Sequence, residues 1–445
     1  MYYIIETQDQ LSKFKSYDFS KCIVDVITNN DHWHLHLSYA SLVYIRPFKS
    51  KSGFILPINH SESTGIAYED VAALISDNIG QIYAIDINRI QYYFKRNTGL
   101  FCLKTAYYLK EGVSLSESTY DTAAHRFFNN RYEGLEDVNQ IIPISKHYEK
   151  VEAISTILKK YVDVTTQEYF PTYSIIGPKV FRAIERNGIK IDKKEFSRHF
   201  TLKHEPASLQ EDTIYTAYNL FTSTGRPSNA FNGVNFAALG KDNMSRKSFI
   251  PRNNYFVEFD YASYHLKILC NLINYEFDDT DIHTHLAKFY FGTSTVTPEQ
   301  YAEGKQLTFK LLYTDSSIEE LDDMPFFIKV KEFKHMLWSK YKKNGYINSF
   351  LSSRPLKNID TITQMLPYVL QNYETERNIS VLSKVHTLLS KKNSKLVLYC
   401  YDSFLFDYST SDGSKLLEDI TEILEEGGYA TSIKYGKNYN DLKAL

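Results

Sequence analysis

Two segments that are far apart in the chain each place an aspartate at the edge of an apolar strand pattern. Residues 255–260 (YFVEFD) form a strand pattern that ends on Asp260. Residues 396–407 (LVLYCYDSFLFD) contain two apolar runs on either side of Asp402, which is typical of a β-hairpin with a polar tip. Rigid strands can hold two carboxylates close together, and carboxylate oxygens are the ligands that hard divalent cations prefer. Each aspartate alone is weak evidence, because an aspartate after a strand is usually a turn or cap residue.

Length and composition indicate a globular protein with two or three domains. The chain has 445 residues, of which 43% are hydrophobic and 23% are charged. The net charge of -2 argues against a surface covered in basic residues, but a local basic groove is enough to hold a nucleic-acid backbone. The 36 tyrosines and 28 phenylalanines fit an AT-rich coding sequence better than a need for stacking platforms.

The cysteines and the apolar runs exclude several classes of protein. Four cysteines lie far apart without a CxxC pair, which argues against a cysteine-rich zinc site and fits a reducing compartment. No run approaches the roughly 18 apolar residues of a membrane span, and the N-terminus lacks the pattern of a signal peptide. We therefore expect a soluble cytoplasmic protein without a membrane partner.

Hydrophobic patterns predict an α/β unit over residues 1–160, followed by a mixed α and β region. Strands are predicted at 22–26, 41–47 and 53–58, and helices at 69–79 and 148–161. Residues 173–192 predict a helix that ends at Gly188 and a short strand, which marks the candidate domain boundary. Residues 281–344 are predicted to be mostly helical, and 415–426 to form one amphipathic helix.

Further short segments surround the two aspartates in a fixed order. They are TGR at 224–226, RKSFIP at 246–251, DYASYHL at 260–266, DIHTHLAKFYFG at 281–292, GKQLTFKLLYTD at 304–315, GYINSFLSSRPL at 345–356 and YDS at 401–403. Together they resemble the family A DNA polymerases, the family that includes bacterial DNA polymerase I. The resemblance covers roughly residues 170–445.

This resemblance implies the catalytic and metal-binding residues. Asp260 and Asp402 would bind two Mg²⁺ ions, for which Mn²⁺ can substitute, and the Tyr261 carbonyl would be a further ligand. The implied reaction is attack of a primer 3′-hydroxyl on the α-phosphate of a dNTP, directed by a template strand.

The resemblance also implies residues that contact the nucleotide and the DNA. Those assigned to the dNTP are His265, His283, Lys305, Phe309, Tyr313 and Arg246. Those assigned to the primer-template are Arg226, Gln371 and Asn235. Lys305, Phe309 and Tyr313 recur every fourth residue, which puts them on one helix face.

Plainer interpretations remain open for some of these residues. Phe309 and Tyr313 could serve only as core residues, and His283 could be a helix N-terminal residue without a ligand. Six lysines in one helical stretch could be a solvated face or a track for DNA: Lys329, Lys331, Lys334, Lys340, Lys342 and Lys343.

The sequence departs from the family pattern at several positions. His265 replaces a glutamate that abuts the sugar 2′ position, which puts sugar discrimination in doubt. Tyr301 replaces an arginine of the nucleotide-binding helix, and Ser403 replaces a glutamate beside the second aspartate. Only residues 193–223 stand where the family has a long helical thumb, so we expect weak, salt-sensitive DNA binding.

The N-terminal region resembles the 3′-5′ exonuclease domain attached to many of these polymerases. That nuclease needs an acidic cluster beginning with Asp-x-Glu, but here Asp25 is followed by Ile27 in place of the glutamate. Asp86, in the segment IYAIDINRI, stands where a second segment carries an aspartate, and Tyr148 and Glu152 keep a Tyr-x3-acid spacing. The segment YDTAAHRFF belongs to the same resemblance. With one ligand missing, we expect an inactive structural remnant.

We therefore predict an α+β protein: a right-hand polymerase fold with a reduced thumb behind an RNase H-like α/β domain. The predicted ranges are 1–165 for the exonuclease-like domain and 166–445 for the polymerase, with the palm at about 205–280 and 345–445 and the fingers at about 281–344. Expected partners are primer-template DNA, dNTPs and a processivity factor or other replication proteins, in a phage or other mobile-element setting. The alternatives are a single-subunit RNA polymerase-like enzyme and a non-catalytic nucleic-acid-binding scaffold.

Overall fold

The chain contains two compact units, Met1–Lys179 and Val180–Leu445, each with its own sheet. The structure, a computed structural model, describes residues 3–28, 39–96, 98–112, 143–200, 212–229, 234–240, 244–277, 281–313 and 324–445. The segment YDTAAHRFF at 120–128 lies outside these residues. Within the described ranges, no helix is both long and apolar enough to cross a membrane.

The first unit is built on a six-stranded mixed sheet. Its strands, in chain order, are β1 (Tyr3–Ile4), β2 (Lys21–Thr28), β3 (Ala40–Pro47), β4 (Phe54–Pro57), β5 (Gln81–Ala84) and β6 (Leu100–Cys102). The spatial order is β1-β4-β3-β2-β5-β6, with antiparallel pairing among β2, β3 and β4 and parallel pairing of β5 with β2 and β6. Strand β2 alternates Cys22, Val24 and Val26 toward a buried core, so Asp25 faces the other side of the sheet.

Helices and turns accompany this sheet. They are α1 (Gln8–Phe14), α2 (Tyr68–Ala73), α3 (Ile87–Phe94), α4 (Leu103–Glu111) and α5 (Ile144–Leu158), with a 3₁₀ helix at Lys159–Thr166 and π-helical turns at Leu74–Asn78 and Thr172–Ile176. Helix α3 begins after Asp86, whose carboxylate accepts from the Asn88 amide at 2.9 Å. The strands and helices predicted for this region are confirmed to within a few residues. Its RNase H-like character stays a prediction.

The second unit is built around a five-stranded antiparallel sheet, called here the central sheet. Its strands are β12 (Tyr255–Tyr261), β15 (Lys395–Cys400), β16 (Ser403–Tyr408), β17 (Thr431–Gly436) and β18 (Lys443–Ala444), in the order β15-β16-β12-β17-β18. Shorter strands pair beside it: β7 (Ile189–Ile191), β8 (Thr213–Ile214), β9 (Tyr218–Asn219), β10 (Ser228–Asn229), β11 (Phe249–Ile250), β13 (Ile347–Asn348) and β14 (Pro355–Leu356).

Several helices of this unit lie in the predicted helical stretches at 173–192, 281–344 and 415–426, whereas those at 193–199, 264–273 and 362–388 are not predicted by the sequence patterns. In chain order, the helices are α6 (Gly177–Asn187), which spans the boundary between the units, then α7 (Lys193–His199), α8 (Tyr264–Ile273), α9 (Ile282–Phe291), α10 (Pro298–Tyr313), α11 (Pro325–Asn344), α12 (Ile362–Leu388) and α13 (Lys415–Leu424), with 3₁₀ turns at Phe236–Ala238, Met244–Ser248, Leu389–Lys391 and Thr410–Asp412. Asp281 caps α9, and Gly292 ends it at a φ of 58°, where other residues would be strained. In the described parts of the predicted helical region, residues 281–313 and 324–344, the structure has three helices.

Candidate active site

The central sheet brings the two predicted catalytic aspartates to the same place. Strands β12 and β16 are antiparallel, with Asp260 opposite Ser403, the residue after Asp402. The Tyr261 amide donates to the Asp402 carbonyl at 2.9 Å, which joins the end of β12 to the hairpin tip. Two aspartates that are more than a hundred residues apart in sequence therefore lie at neighbouring positions of one sheet.

The electrostatic surroundings of Asp402 are those of a clustered acidic site. Its side chain is exposed at the tip of the hairpin. The protein packed beneath the tip raises the pKa of this carboxyl, and the nearby carboxylates of Asp260 and Glu374 raise it further. Arg226 opposes the increase. Repulsion between like charges at this point would be relieved by a bound cation.

The hairpin tip has a strained backbone that neighbouring side chains support. Tyr401 has a φ of 61°, a left-handed conformation that bulky residues rarely adopt. The Arg226 guanidinium lies 3.7 Å from the centroid of the Tyr401 ring, and Asn378 donates to the Tyr401 carbonyl at 2.9 Å. These contacts fix the residue that immediately precedes Asp402.

A polar stripe on α12 runs beneath the site. Gln371, Glu374 and Asn378 are spaced by three and four residues, so they share one helix face. Gln371 accepts a hydrogen bond from the Thr224 hydroxyl at 3.1 Å. Gln371 and Arg226 are both predicted to contact DNA. Arg226 lies against the Tyr401 ring at the hairpin tip, and Gln371 is hydrogen-bonded to Thr224, two residues before Arg226.

Glu374, which the sequence analysis did not identify, is at the centre of this group. Its carboxylate is fully buried and accepts from Arg226 Nε at 2.9 Å and Nη2 at 3.2 Å. It also lies 2.6 Å from His265 Nε2. The other ring nitrogen of His265 lies 2.8 Å from the Tyr313 hydroxyl. Helices α8, α10 and α12 are therefore linked through hydrogen-bonded side chains at the edge of the site.

Helix α10 presents the predicted nucleotide-binding residues on one side. Lys305 is exposed, and Phe309 and Tyr313 are half-buried. The two rings are almost parallel, with an angle of 6° between them and centroids 6.0 Å apart. An exposed ammonium followed by two parallel rings offers contacts to a phosphate and to a flat base.

His283, which the resemblance assigns to the triphosphate, is a buried residue packed against α10. The side chain is buried, and its ring packs 5.9 Å from the rings of both Tyr301 and Phe309. Burial, and then the charge of Lys305, lower its pKa to about 4. His283 is therefore a neutral packing partner of α10 at neutral pH, and Lys305 carries the positive charge at this position.

Arg246 and Asn235 lie beside the central sheet. The Arg246 guanidinium lies 4.4 Å from the Tyr439 ring centroid and donates to the Leu239 carbonyl. These contacts place Arg246 near the strands, and its assignment to the dNTP stays a prediction. Asn235 is exposed and precedes the 3₁₀ turn Phe236–Ala238.

In the first unit, two of the predicted exonuclease carboxylates, Asp25 and Asp86, are close enough to interact electrostatically. Asp25 on β2 is 7% exposed, and its Oδ1 has no hydrogen-bond partner among the described residues. Burial raises its pKa to about 6; the Arg89 charge lowers it, and the Asp86 carboxylate adds to the increase. Asp86 lies 3.8 Å from Lys104 Nζ and caps α3.

Glu152 forms a network that joins helix α5 to β3 and to the residue before β4. Its carboxylate lies 2.9 Å from Arg46 Nη1, and it accepts from the Tyr44 hydroxyl at 2.5 Å and the Gly53 amide at 3.0 Å. Tyr148 is buried against Tyr44, with ring centroids 6.2 Å apart. Across the described ranges, no group of three or more His, Cys, Asp or Glu side chains has the arrangement of a metal site.

Comparisons with known proteins agree with this architecture. No protein-family model matches the chain. DNA polymerase I of Synechocystis sp. is 21% identical to this chain over 270 residues, which cover 49% of this chain and only 27% of that polymerase. The structure is similar to the POL domain of Pol1 from M. smegmatis in complex with DNA primer-template and dNTP, with a TM-score of 0.69 and 13% identity over 99% of this chain and 100% of that chain. The predicted mixed α+β polymerase fold is thus confirmed: the chain has the fold of a DNA polymerase I polymerase domain.

Proposed function

We propose that this protein is a template-directed DNA polymerase that extends a primer 3′-hydroxyl with dNTPs. The observation that carries the proposal is the position of Asp260 and Asp402 at neighbouring strand ends, linked through Tyr401, Arg226, Glu374 and His265 to Tyr313 on α10. The fold likeness to a polymerase domain with bound primer-template and dNTP supports it. The primer oxygen forms a bond to the α-phosphorus, its proton passes to solvent, and the bond to the leaving pyrophosphate breaks.

The donor atoms at the strand ends fit Mg²⁺. Asp260 and Asp402 supply hard carboxylate oxygens, and the backbone carbonyl of Tyr261 is the third expected ligand. Burial raises the pKa of Asp402, and the Asp260 and Glu374 carboxylates raise it further; a bound cation would offset this crowding of negative charge. When bound, Mg²⁺ at these oxygens would neutralise charge on the phosphate and lower the pKa of the attacking hydroxyl.

The chain's own residues position the substrates. Lys305 reaches the triphosphate from the exposed side of α10, while Phe309 and Tyr313 offer parallel rings to the nascent base pair. Arg226 lies against the hairpin tip, where the primer end would meet Asp402, and Gln371 is hydrogen-bonded to Thr224, two residues before Arg226. These residues hold reacting groups in line, and such positioning is a major part of catalysis in phosphoryl transfer.

Single-nucleotide primer extension tests this function against its two rivals. With four primer-templates that differ only in the first templating base, we expect each to direct incorporation of the complementary dNTP. Synthesis from rNTPs on an unprimed template would favour the RNA polymerase alternative. Binding of primer-template without incorporation of any nucleotide would favour the non-catalytic scaffold.

Replacing Lys305 by alanine should raise the KM for dNTP by about 10-fold to 100-fold, because a charged hydrogen bond to phosphate is worth about 1.5–3 kcal/mol. The dissociation constant for primer-template should change little. The matched control is Lys310→Ala, which removes the same charge from another face of α10. Equal effects of the two substitutions on the KM, or a loss of DNA binding in Lys305→Ala alone, would contradict the assignment.

The first unit should show little or no 3′-5′ degradation of single-stranded or mismatched DNA, in Mg²⁺ or Mn²⁺. Ile27 offers no oxygen where a ligand is needed, and Glu152 is held by Arg46, Tyr44 and the Gly53 amide. The measurement is digestion of a labelled strand without dNTPs, comparing the wild type with Asp25→Ala. Robust digestion by the wild type that disappears in Asp25→Ala would make the protein a proofreading polymerase.

A further inference from the structure

If the proposed function is correct, His265 stands beside the path of the bound nucleotide. It is on the first turn of α8, directly after the segment that carries Asp260, and it contacts the Tyr313 hydroxyl. A nucleotide with its base against Tyr313 and its phosphates toward Lys305 and Asp260 must place its sugar between these points. The His265 ring is hydrogen-bonded to Tyr313 and follows Asp260 by five residues, so we expect it to border that interval.

Both ring nitrogens of His265 are engaged. Glu374 is fully buried; burial alone would raise its pKa, but the His265 hydrogen bond and the Arg226 charge outweigh burial and lower it. A carboxylate can only accept, so Nε2 of His265 must be the donor. The remaining nitrogen, Nδ1, then pairs with the Tyr313 hydroxyl.

These contacts fix the orientation of the ring, and they use both ring nitrogens, so neither is available to hydrogen-bond a sugar hydroxyl. Its hydrogen-bonding atoms point along the line from Tyr313 to Glu374. A 2′-hydroxyl placed against the ring would lose hydration without gaining a partner, whereas the 2′-methylene of a deoxyribose would lose nothing.

We propose that Glu374 is a positioning residue for sugar selection: by holding His265, it makes the imidazole a barrier to the 2′-hydroxyl of ribonucleotides. The inference rests on the proposed polymerase function and adds a residue to it. The carboxylate that the sequence lacks at position 265 is supplied by α12, 109 residues further along the chain. Arg226 holds this carboxylate from the other side.

The test compares kcat/KM for incorporation of a dNTP and of the matching rNTP opposite the same templating base. We expect the wild type to prefer dNTP by about a hundredfold or more. In Glu374→Ala, the preference should fall by about tenfold or more, because the ring loses a fixed hydrogen bond and can turn toward the hydroxyl. His265→Ala should lower the preference at least as much.

Two further variants separate positioning from general damage. Glu374→Gln keeps the shape of the side chain and serves if the alanine variant does not fold; its preference should also fall. Glu376→Gln changes another buried carboxylate on α12, which accepts from Ser352, and should keep the wild-type preference. In His265→Glu/Glu374→Ala, a carboxylate returns to position 265, and the preference should recover.

The possible outcomes distinguish the two proposals. If both Glu374 variants lose dNTP and rNTP incorporation in the same proportion, Glu374 has only a structural role and the inference is wrong. If the wild type incorporates no templated dNTP at all, the proposed function itself has failed.

Discussion

Replacement of Asp260 or Asp402 by asparagine should reduce primer extension by about a thousandfold or more, since bound metal ions contribute several kcal/mol of transition-state stabilisation. Asparagine keeps the size of the side chain and the strand geometry, but it removes the charge that attracts Mg²⁺. Stability should not fall, because burial and the neighbouring Asp260 carboxylate both disfavour the charged form of Asp402. The measurements are single-turnover extension and denaturant-induced unfolding of the same samples.

Asp407 provides a matched control on the same hairpin. It is buried near the far end of β16, where its carboxylate accepts from the Arg252 and Asn253 amides, both at 2.9 Å. Asp407→Asn should therefore lower the free energy of unfolding without abolishing extension. Extension at near wild-type rates in Asp260→Asn or Asp402→Asn would disprove the catalytic assignment.

The central sheet and the helices around it could be predicted because their signals are local. The apolar runs at 255–260 and 396–407 correspond to β12 and to the β15–β16 hairpin. The acidic pattern at 415–426 corresponds to α13 (Lys415–Leu424). Each of these patterns is set by alternation or helical spacing within a dozen residues, which a single sequence displays directly.

The partners of the site residues could not be predicted in the same way. Glu374 is one of several charged residues on α12, and charged residues on a helix usually form a solvated face. Its burial depends on Arg226 and His265, each more than a hundred residues away. The motif resemblance supplied the position of His283, but only packing against Tyr301 and Phe309 reveals that its ring is neutral and buried.

Arg226→Met should lower the free energy of unfolding by about 3–5 kcal/mol, because it leaves the Glu374 charge buried without its guanidinium partner. The Arg226 side chain is 23% exposed and that of Glu374 is inaccessible, so water cannot replace the lost hydrogen bonds at the carboxylate. The substitution also removes the cation from the Tyr401 ring, whose backbone is held at a φ of 61°. Denaturant-induced unfolding measures the loss.

Two matched variants identify the buried charge as the cause. Arg226→Met/Glu374→Gln removes both charges, and it should recover part of the lost stability because an uncharged amide is cheaper to bury than a carboxylate. Arg198→Met breaks an exposed pair with Glu195, 2.5 Å apart on α7, and should cost about 1 kcal/mol or less. If Arg226→Met cost no more than Arg198→Met, the ion pair beneath the hairpin tip would be dispensable for the fold. Of the two contacts to Tyr401 described above, the hydrogen bond from Asn378 would then be the one that supports its backbone.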